Sequence, residues 1–291
     1  MPPPAPAPPP PEVSTVGRIA FTSTRDGEHY VYVMNPDGSG LTRLARGQSP
    51  AWSPDGGSIA FHVHSGTAYE IRVIDLQSMD ERFLVGGDAL TPTWSPDGGR
   101  IAFTGGSGIH VVNVDGTGET AIVEADAVYG VTGIEKSQYI DLGLLEPTWS
   151  PDGTRIVFAI VWGWDWQPLM VVDADGSNLR QLPTFAGVSP AWSPDGSRIA
   201  YGEQGGQIVS IAGDGDVRRR VHLWGDDPDW SADGKNIVYS ARPAGCADGC
   251  GARIWVGGAD DDRFARLVPE ASNPSQVVYD DLHPVWSRVN H

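Results

Sequence analysis

The chain has 291 residues, of which 37 are acidic and 20 are basic, so its formal net charge is −17. Because nucleic acids and anionic membranes are bound through basic surfaces, this balance argues against either as a partner. No apolar run approaches the roughly 20 residues that a membrane-spanning helix needs. The 37 glycines and 24 prolines recur at fixed places in a repeat, which indicates turns rather than disorder.

The chain begins with a proline-rich leader, residues 1–16, which has no capacity to form a core. Its run from Pro2 to Pro11 is predicted to be a stiff polyproline II spacer. In one interpretation the spacer linked the domain to an envelope anchor and Met1 replaces an export signal. In the other it is an ordinary disordered tail. We favour the first, which predicts an exported, periplasmic or extracellular protein with an envelope tether.

The motif Pro-x-Trp-Ser-Pro-Asp-Gly organises the rest of the chain. Six copies, some degenerate, are centred on tryptophans 38 to 56 residues apart: Trp52, Trp94, Trp149, Trp192, Trp230 and Trp286. Repeats of roughly 40 to 45 residues with four short strands are typical of β-propeller blades. Residues 17–291 are therefore predicted to form one all-β, six-bladed propeller of four-stranded antiparallel blades. We expect the six tryptophans to pack between blades rather than to bind a ligand.

The strand after each motif has alternating apolar residues, and its first copy, residues 17–23, has no motif before it. Trp286 and Ser287 supply that missing part from the other end of the chain. We therefore predict that the C-terminal strand joins the N-terminal blade and closes the ring, which removes exposed sheet edges. Asp-Gly turns such as Asn35–Gly40 are predicted hairpins.

Two insertions, at about 124–146 and 269–283, interrupt the repeat between the outer strand of one blade and the inner strand of the next. They are three blades apart, so we expect them to face each other across one mouth of the channel. Function in repeat proteins is often found where the repeat is broken. The candidate ligand-binding residues here are Tyr139, Asp141, Tyr279 and Asp280.

The residue before each repeat proline begins the innermost strand and is expected to line the channel near the insertion-bearing mouth. These six positions hold Ser49, Thr91, Glu146, Ser189, Asp227 and His283. Carboxylates suit a hard cation such as calcium, and a histidine among them suits a softer metal. Glu146, Asp227 and His283 are therefore the candidate metal ligands, and the alternative is a solvated acidic channel without a cation.

Three tryptophans, Trp162, Trp164 and Trp166, lie in a loop between the second and third strands of one blade. Exposed aromatic side chains of this kind suit a sugar ring or a protein hot spot. The alternative is that they pack down on the first insertion. The scattered histidines, including His62, are interpreted as ordinary strand or surface residues.

The two cysteines, Cys246 and Cys250, are four residues apart with a glycine between them. They offer too few ligands for a metal site. A disulfide in an oxidising compartment is favoured over two free thiols because of the leader.

The blades resemble those of the TolB-type propeller, whose repeat reads much like Trp-Ser-Pro-Asp-Gly-x-x-Ile-Ala-Phe followed by Ile-Tyr-Val-Met-Asn-x-Asp-Gly. The resemblance covers residues 17–291 and implies a six-bladed propeller. TolB is periplasmic, works through protein–protein contacts and carries an α/β domain ahead of its propeller, which has no counterpart here. Similar propellers precede serine-peptidase domains, but the Gly-x-Ser-x-Gly motif is missing from this sequence. Others are pectate-type lyases with a histidine-held metal.

Together these features predict a monomeric, exported, non-enzymatic binding or scaffold protein. Its partner would be a protein segment or a glycan at the insertion-bearing mouth. The alternative is a metal-assisted polysaccharide lyase or hydrolase acting in the channel. That alternative is weaker because His283 is the one histidine at the mouth, where such lyases cluster several.

Overall fold

The computed structural model describes residues 17–135, 142–162, 165–166, 168–203, 205–214, 218–242, 251–260, 264–266 and 280–289. Several predictions fall outside these residues: the leader, the cysteine pair, and the ligand-binding roles of four residues. Those residues are Tyr139, Asp141, Trp164 and Tyr279, while only the backbone is described for Trp166.

The first three repeats contribute eleven strands: β1 (Ile19–Ser23), β2 (Tyr30–Met34), β3 (Thr42–Arg46), β4 (Gln48–Trp52), β5 (Ser58–Ser65), β6 (Ala68–Asp75), β7 (Glu81–Val85), β8 (Leu90–Trp94), β9 (Arg100–Gly105), β10 (Gly108–Asn113) and β11 (Thr120–Glu124). The rest of the described chain contributes helix α1 (Ala125–Thr132) and fourteen strands: β12 (Leu142–Trp149), β13 (Arg155–Trp162), β14 (Asp165–Trp166), β15 (Met170–Asp173), β16 (Arg180–Gln181), β17 (Gly187–Trp192), β18 (Arg198–Glu203), β19 (Gln207–Ala212), β20 (Arg218–Trp224), β21 (Asp226–Trp230), β22 (Asn236–Ala241), β23 (Arg253–Gly258), β24 (Phe264–Arg266) and β25 (Asp281–Trp286).

These strands form six antiparallel sheets, the blades, which follow one another along the chain. Blade 1 is β25-β1-β2-β3, blade 2 is β4 to β7, and blade 3 is β8 to β11. Blade 4 is β12-β13-β15-β16 with β14 beside β13, blade 5 is β17 to β20, and blade 6 is β21 to β24. The predicted six-bladed all-β fold is confirmed.

The ring closes through strand β25, which pairs antiparallel with β1 so that Ile19 faces Trp286 and Ser23 faces Asp281. The last strand of the chain is thus the innermost strand of the first blade. Because every other blade is built from one continuous stretch, this pairing is where the two ends of the chain hold the ring together. The predicted closure is confirmed.

The one helix in the described part of the chain, α1, belongs to the first insertion and is not foreseen by the repeat. It ends at Gly133, whose φ of 70° suits a glycine after a helix. Val128 is fully buried and packs with the apolar residues of blades 3 and 4. This short helix therefore caps the core between those blades. Among the described residues, no helix has both the length and the apolar character that a membrane span requires.

Each Ser-Pro-Asp-Gly turn is built by its serine and aspartate. In blade 4, Ser150 Oγ donates to Asp152 Oδ1 at 2.6 Å, and the Thr154 amide donates to the same oxygen at 3.0 Å. These hydrogen bonds lower the pKa of Asp152 to about 2. Gly153 supplies the positive φ, 70°, that the turn requires. The repeated serine and aspartate are therefore structural residues.

The repeat tryptophans pack between neighbouring blades, as predicted, and all but Trp94 are buried. At four blade junctions an arginine at the start of the second strand lies over the tryptophan of the next blade, 4.5 to 5.2 Å from its ring: Arg18 on Trp52, Arg100 on Trp149, Arg155 on Trp192 and Arg198 on Trp230. These cation–π contacts link successive blades.

Ser58 occupies the arginine position in blade 2, because its amide donates to the turn serine Ser53 as that of Arg100 does to Ser95. We expect Ser58→Arg to place a guanidinium over Trp94 and to raise the free energy of unfolding by about 0.5–1 kcal/mol. Chemical denaturation would measure the change, with Ser58→Gln as a control of similar length but no charge. Equal stability of the two variants would contradict a cation–π contribution.

Candidate functional site

A cavity of about 500 Å³ lies in the central channel of the described structure. Its inner end is formed by the six residues that precede the repeat prolines, and its walls by the prolines and tryptophans of the innermost strands. Its outer rim carries Pro54, Pro96, Pro151, Pro194 and Ala232, all from the Ser-Pro-Asp-Gly turns or their counterpart. We call this cavity the funnel. It occupies the turn-bearing end of the channel, opposite the end at which the innermost strands begin.

All six pre-proline residues have a left-handed backbone, with φ between 46° and 55°: Ser49, Thr91, Glu146, Ser189, Asp227 and His283. The residue before a proline normally adopts an extended conformation, and a positive φ is unusual for any residue other than glycine. Each of the six lies where the pairing of the innermost strand shifts register. A β-bulge of this kind re-aims a side chain, and here it places six side chains around the funnel floor.

A bulge leaves a backbone amide without a partner in its own sheet, and four of the six amides find one in the preceding blade. Ser189 N donates to Glu146 Oε2 at 2.7 Å, and His283 N donates to Asp227 Oδ2 at 3.2 Å. Ser49 N donates to Thr22 Oγ1 at 3.0 Å, and Thr91 N to His62 Nδ1 at 3.4 Å. These four hydrogen bonds therefore tie neighbouring blades together.

The structure brings the three predicted metal ligands, Glu146, Asp227 and His283, together on the floor. One potential metal-ligating atom from each residue lies within 4.8 Å of those of the other two, and all three residues are partly buried. Ser189 stands between the carboxylates, and its hydroxyl lies 3.2 Å from Glu146 Oε2 and 2.8 Å from Asp227 Oδ1. Ser240 Oγ donates to Asp227 Oδ2 at 3.0 Å. The arrangement offers oxygen and imidazole ligands to one common point.

The pKa values of the two carboxyl groups are shifted in opposite directions. Burial, and then the charge of Asp227, raises the pKa of Glu146 above its usual range. Burial would also raise the pKa of Asp227, but His283 and the hydrogen bonds from Ser189 and Ser240 outweigh it and hold that pKa below its usual range. Within the described residues neither carboxylate forms an ion pair with a lysine or arginine. The floor therefore carries negative charge with only a histidine to balance it.

His62 is a site residue that the sequence analysis missed, since it is buried rather than an ordinary strand histidine. Burial lowers its pKa to about 3, and repulsion from His283 and His29 adds to that shift. The signal was its place after Phe61, where other blades carry the hydroxyl residues Thr22, Thr104 and Ser240. Those residues also bond to the floor or to its backbone.

Two of the remaining candidates lie in the described part of the chain, and both make contacts within the protein. Trp162 is half-buried and packs on the apolar cluster that contains Val128 of α1, which matches the packing alternative for this residue. Asp280 Oδ1 accepts a hydrogen bond from the Ala252 amide at 2.8 Å, which links blade 6 to the closing strand. Neither residue lines the funnel, and their ligand-binding roles stay predictions.

Comparison with solved structures identifies the same architecture elsewhere. TolB from Acinetobacter baumannii superposes with a TM-score of 0.73 over 96% of this chain and 68% of its own, at 19% sequence identity. The chain has the fold of the TolB propeller. The expectation from the repeat sequence is thus confirmed for the fold.

Other propellers are similar to this TolB-like ring. A chain of the nidogen/laminin complex has a TM-score of 0.66 and 11% identity, with 93% of this chain and 98% of that chain covered. An oligogalacturonate lyase in complex with manganese has a TM-score of 0.57 and 17% identity, with 87% and 74% covered. No protein-family model matches the sequence, and the search of curated proteins found no match. The likeness therefore concerns the fold alone.

Proposed function

We propose that this protein is a non-enzymatic binding propeller and that a segment of a partner protein enters its central funnel. The observation that carries the proposal is the funnel itself, a cavity of about 500 Å³ that ends at Glu146, Asp227 and His283. Its volume is within the range of ligand-binding cavities, roughly 300–1,000 Å³. Apolar walls above a small group of polar residues are also typical of such cavities.

A protein segment suits the funnel better than a neutral glycan does, because the floor offers two carboxylates and no arginine or lysine partner among the described residues. The formal charge of −17 would favour the approach of a basic segment over long distances. The similar nidogen/laminin structure is itself a complex of two proteins. Together these points support a protein partner.

The proposal moves the main binding site from the insertion-bearing mouth to the turn-bearing end of the same channel. The aromatic residues expected at that mouth are mostly outside the described residues, so a contact there remains a prediction. We also propose that the protein acts outside the cytoplasm, an idea supported by the likeness to TolB. A thiol titration that finds Cys246 and Cys250 oxidised in protein from its native compartment would agree with that location.

The funnel can be tested by blocking it. Thr148 is a partly buried residue of the funnel wall, two residues beyond Glu146, so we expect Thr148→Trp to fill the space beside the floor. Peptides selected from a random displayed library on the wild-type protein should bind the Thr148→Trp variant at least about tenfold more weakly. Binding would be measured by calorimetry or fluorescence anisotropy.

The matched control is Thr120→Trp, which adds the same side chain on an exposed outer strand, away from the funnel. This variant should bind the selected peptides as the wild type does, and both variants should have similar melting temperatures. Selected peptides that bind Thr148→Trp as tightly as the wild type would contradict the funnel as the binding site.

A second candidate, a metal-assisted polysaccharide lyase or hydrolase, is favoured by the ligand set on the floor. Two carboxylates and an imidazole within 4.8 Å suit a divalent cation, and one similar propeller is an oligogalacturonate lyase in complex with manganese. In this candidate Glu146, Asp227 and His283 would hold a cation that binds and polarises an acidic sugar. The remaining residues of the floor would orient the sugar.

Metal analysis tests this candidate directly. If it is correct, purified protein should contain about one divalent cation per chain, and a chelator should lower the melting temperature, because a cation bound only by the folded state stabilises it. Asp227→Asn should remove both effects, whereas Asp88→Asn, an exposed aspartate outside the cluster, should keep them. A cation-free protein with an unchanged melt in chelator would exclude the candidate.

A further inference from the structure

We infer that the group which reaches the funnel floor is the cationic head of a lysine or arginine side chain. The inference rests on the proposed function and names the part of the partner that the floor recognises. It follows from three properties of the funnel: unbalanced negative charge, unused hydrogen-bond acceptors, and apolar walls deeper than an ion requires.

The unbalanced charge comes from two residues. Besides His283, the charged residues of the funnel are Glu146, Asp227, Asp229 and Arg288. Asp229 is satisfied by the protein itself, since it pairs with Arg288 at 2.9 Å and accepts from the Trp286 amide at 2.7 Å. Glu146 and Asp227 are therefore the acidic groups of the funnel that lack a lysine or arginine partner among the described residues, and one imidazole, His283, stands against their two carboxylates.

The hydrogen bonds of these two carboxylates leave acceptor capacity unused. Their donors are neutral: the amides of Ser189 and His283 and the hydroxyls of Ser189 and Ser240. Both bonds to Glu146 reach the same oxygen, Oε2, whereas an ionised carboxylate has about four acceptor sites. An ammonium brings three donors and a guanidinium five, so either would meet these needs.

The walls fit the stem of such a side chain. Above the floor the funnel is lined by prolines and by the edges of repeat tryptophans, among them Pro50, Trp52, Pro147 and Trp149. Lysine and arginine place an apolar stem on surfaces of this kind while the charged head makes polar contacts. A bare calcium ion would need six to eight oxygen ligands and no apolar wall. The shape therefore favours a side chain with a cationic head over a bare ion.

Small amines can test the inference without a known partner. We would titrate the protein with n-butylammonium chloride and with 1-butanol at constant ionic strength, following backbone amide NMR shifts. The expected result is saturable binding of butylammonium near Glu146 and Asp227, and binding of butanol at least about tenfold weaker. The double variant Glu146→Gln/Asp227→Asn should weaken butylammonium binding about tenfold or more, whereas the exposed-surface control Glu124→Gln should not.

Each outcome supports or overturns the inference. Equal binding of butanol and butylammonium would show that the floor does not recognise charge, and no saturable binding would show that it takes no cation of this kind. A second test uses peptides selected on the wild type and blocked by Thr148→Trp: exchange of their lysines and arginines for glutamine should abolish binding. If that exchange has no effect, the proposed function stands and this inference fails. If no blocked peptide is found but butylammonium binds, the proposed function fails, and with it the partner side chain, while recognition of an alkylammonium head by the floor is supported.

Discussion

Replacing Arg25 by methionine is expected to cost about 3–5 kcal/mol of folding free energy, because it leaves a buried carboxylate without its partner. Arg25 pairs at 2.7 Å with Asp281, whose side chain is completely buried at the start of the closing strand β25. The guanidinium also stacks over Phe21 and Tyr32 of the first blade. The substitution therefore weakens the one junction where the two ends of the chain meet. Chemical denaturation at neutral pH would measure the loss.

The control for this variant is Arg46→Met, which breaks the exposed pair of Arg46 with Glu28. Exposed pairs contribute roughly 0–1 kcal/mol, so this change should have a small effect. A loss for Arg25→Met no larger than for Arg46→Met would contradict the role of the buried pair in ring closure.

The loss of folding free energy in Arg25→Met should also depend on pH, and the pKa of Asp281 determines whether it grows or shrinks on acidification. Burial raises the pKa of Asp281 even with Arg25 in place, and removing the arginine should raise that pKa further. A carboxyl whose pKa is higher in the folded state binds more protons there, so stability falls as the pH rises through that pKa. The defect should therefore be smaller at about pH 5 than at about pH 7.5. A defect that grows on acidification would contradict this account.

The two carboxylates of the funnel floor should respond in opposite directions when each is made neutral. Glu146→Gln is expected to stabilise the protein at neutral pH by on the order of 1 kcal/mol. It removes a charge that burial, and then the repulsion from Asp227, disfavour and that therefore has a raised pKa, and the amide oxygen can still accept from the Ser189 backbone. Asp227→Asn is expected to destabilise by a similar amount, because the pKa of Asp227 is lowered by contacts that favour its charged form.

The pH dependence separates these two effects. The contribution of Glu146 becomes less favourable as the pH rises through its raised pKa, so the Glu146→Gln variant should gain most at neutral pH and little in acid. The contribution of Asp227 is present above its unfolded pKa and is lost as the pH falls through the lowered folded value. Denaturation curves over the acidic to neutral range would show both trends. Destabilisation by both substitutions would contradict the electrostatic description of the floor.

A stabilising Glu146→Gln would also be informative about function. A charge that lowers the stability of the free protein is typical of a binding site, because preorganised sites hold unfavourable charges in place for their ligands. The same substitution is expected to weaken binding of a cationic group. Stability and binding would thus change in opposite directions at one position.

The sequence by itself determined the ring. The spacing of Trp52, Trp94 and their counterparts sets the number of blades, because each repeat cannot bury its apolar face without a neighbour. The lone strand at residues 17–23 and the truncated motif at Trp286 require each other to complete a sheet. The sequence also indicated that Glu146, Asp227 and His283 converge, since equivalent positions of successive blades surround one axis.

Only the tertiary structure decided where the cavity lies and how its floor is charged. The left-handed backbone before each proline cannot be read from residues such as Thr91 or Asp227, because local preferences favour an extended conformation there. His62 is buried by the packing of blades against each other, and Asp229 pairs with Arg288 of a different blade. Charge balance in a closed ring depends on such contacts between distant residues, and the spacing of a repeat does not contain them.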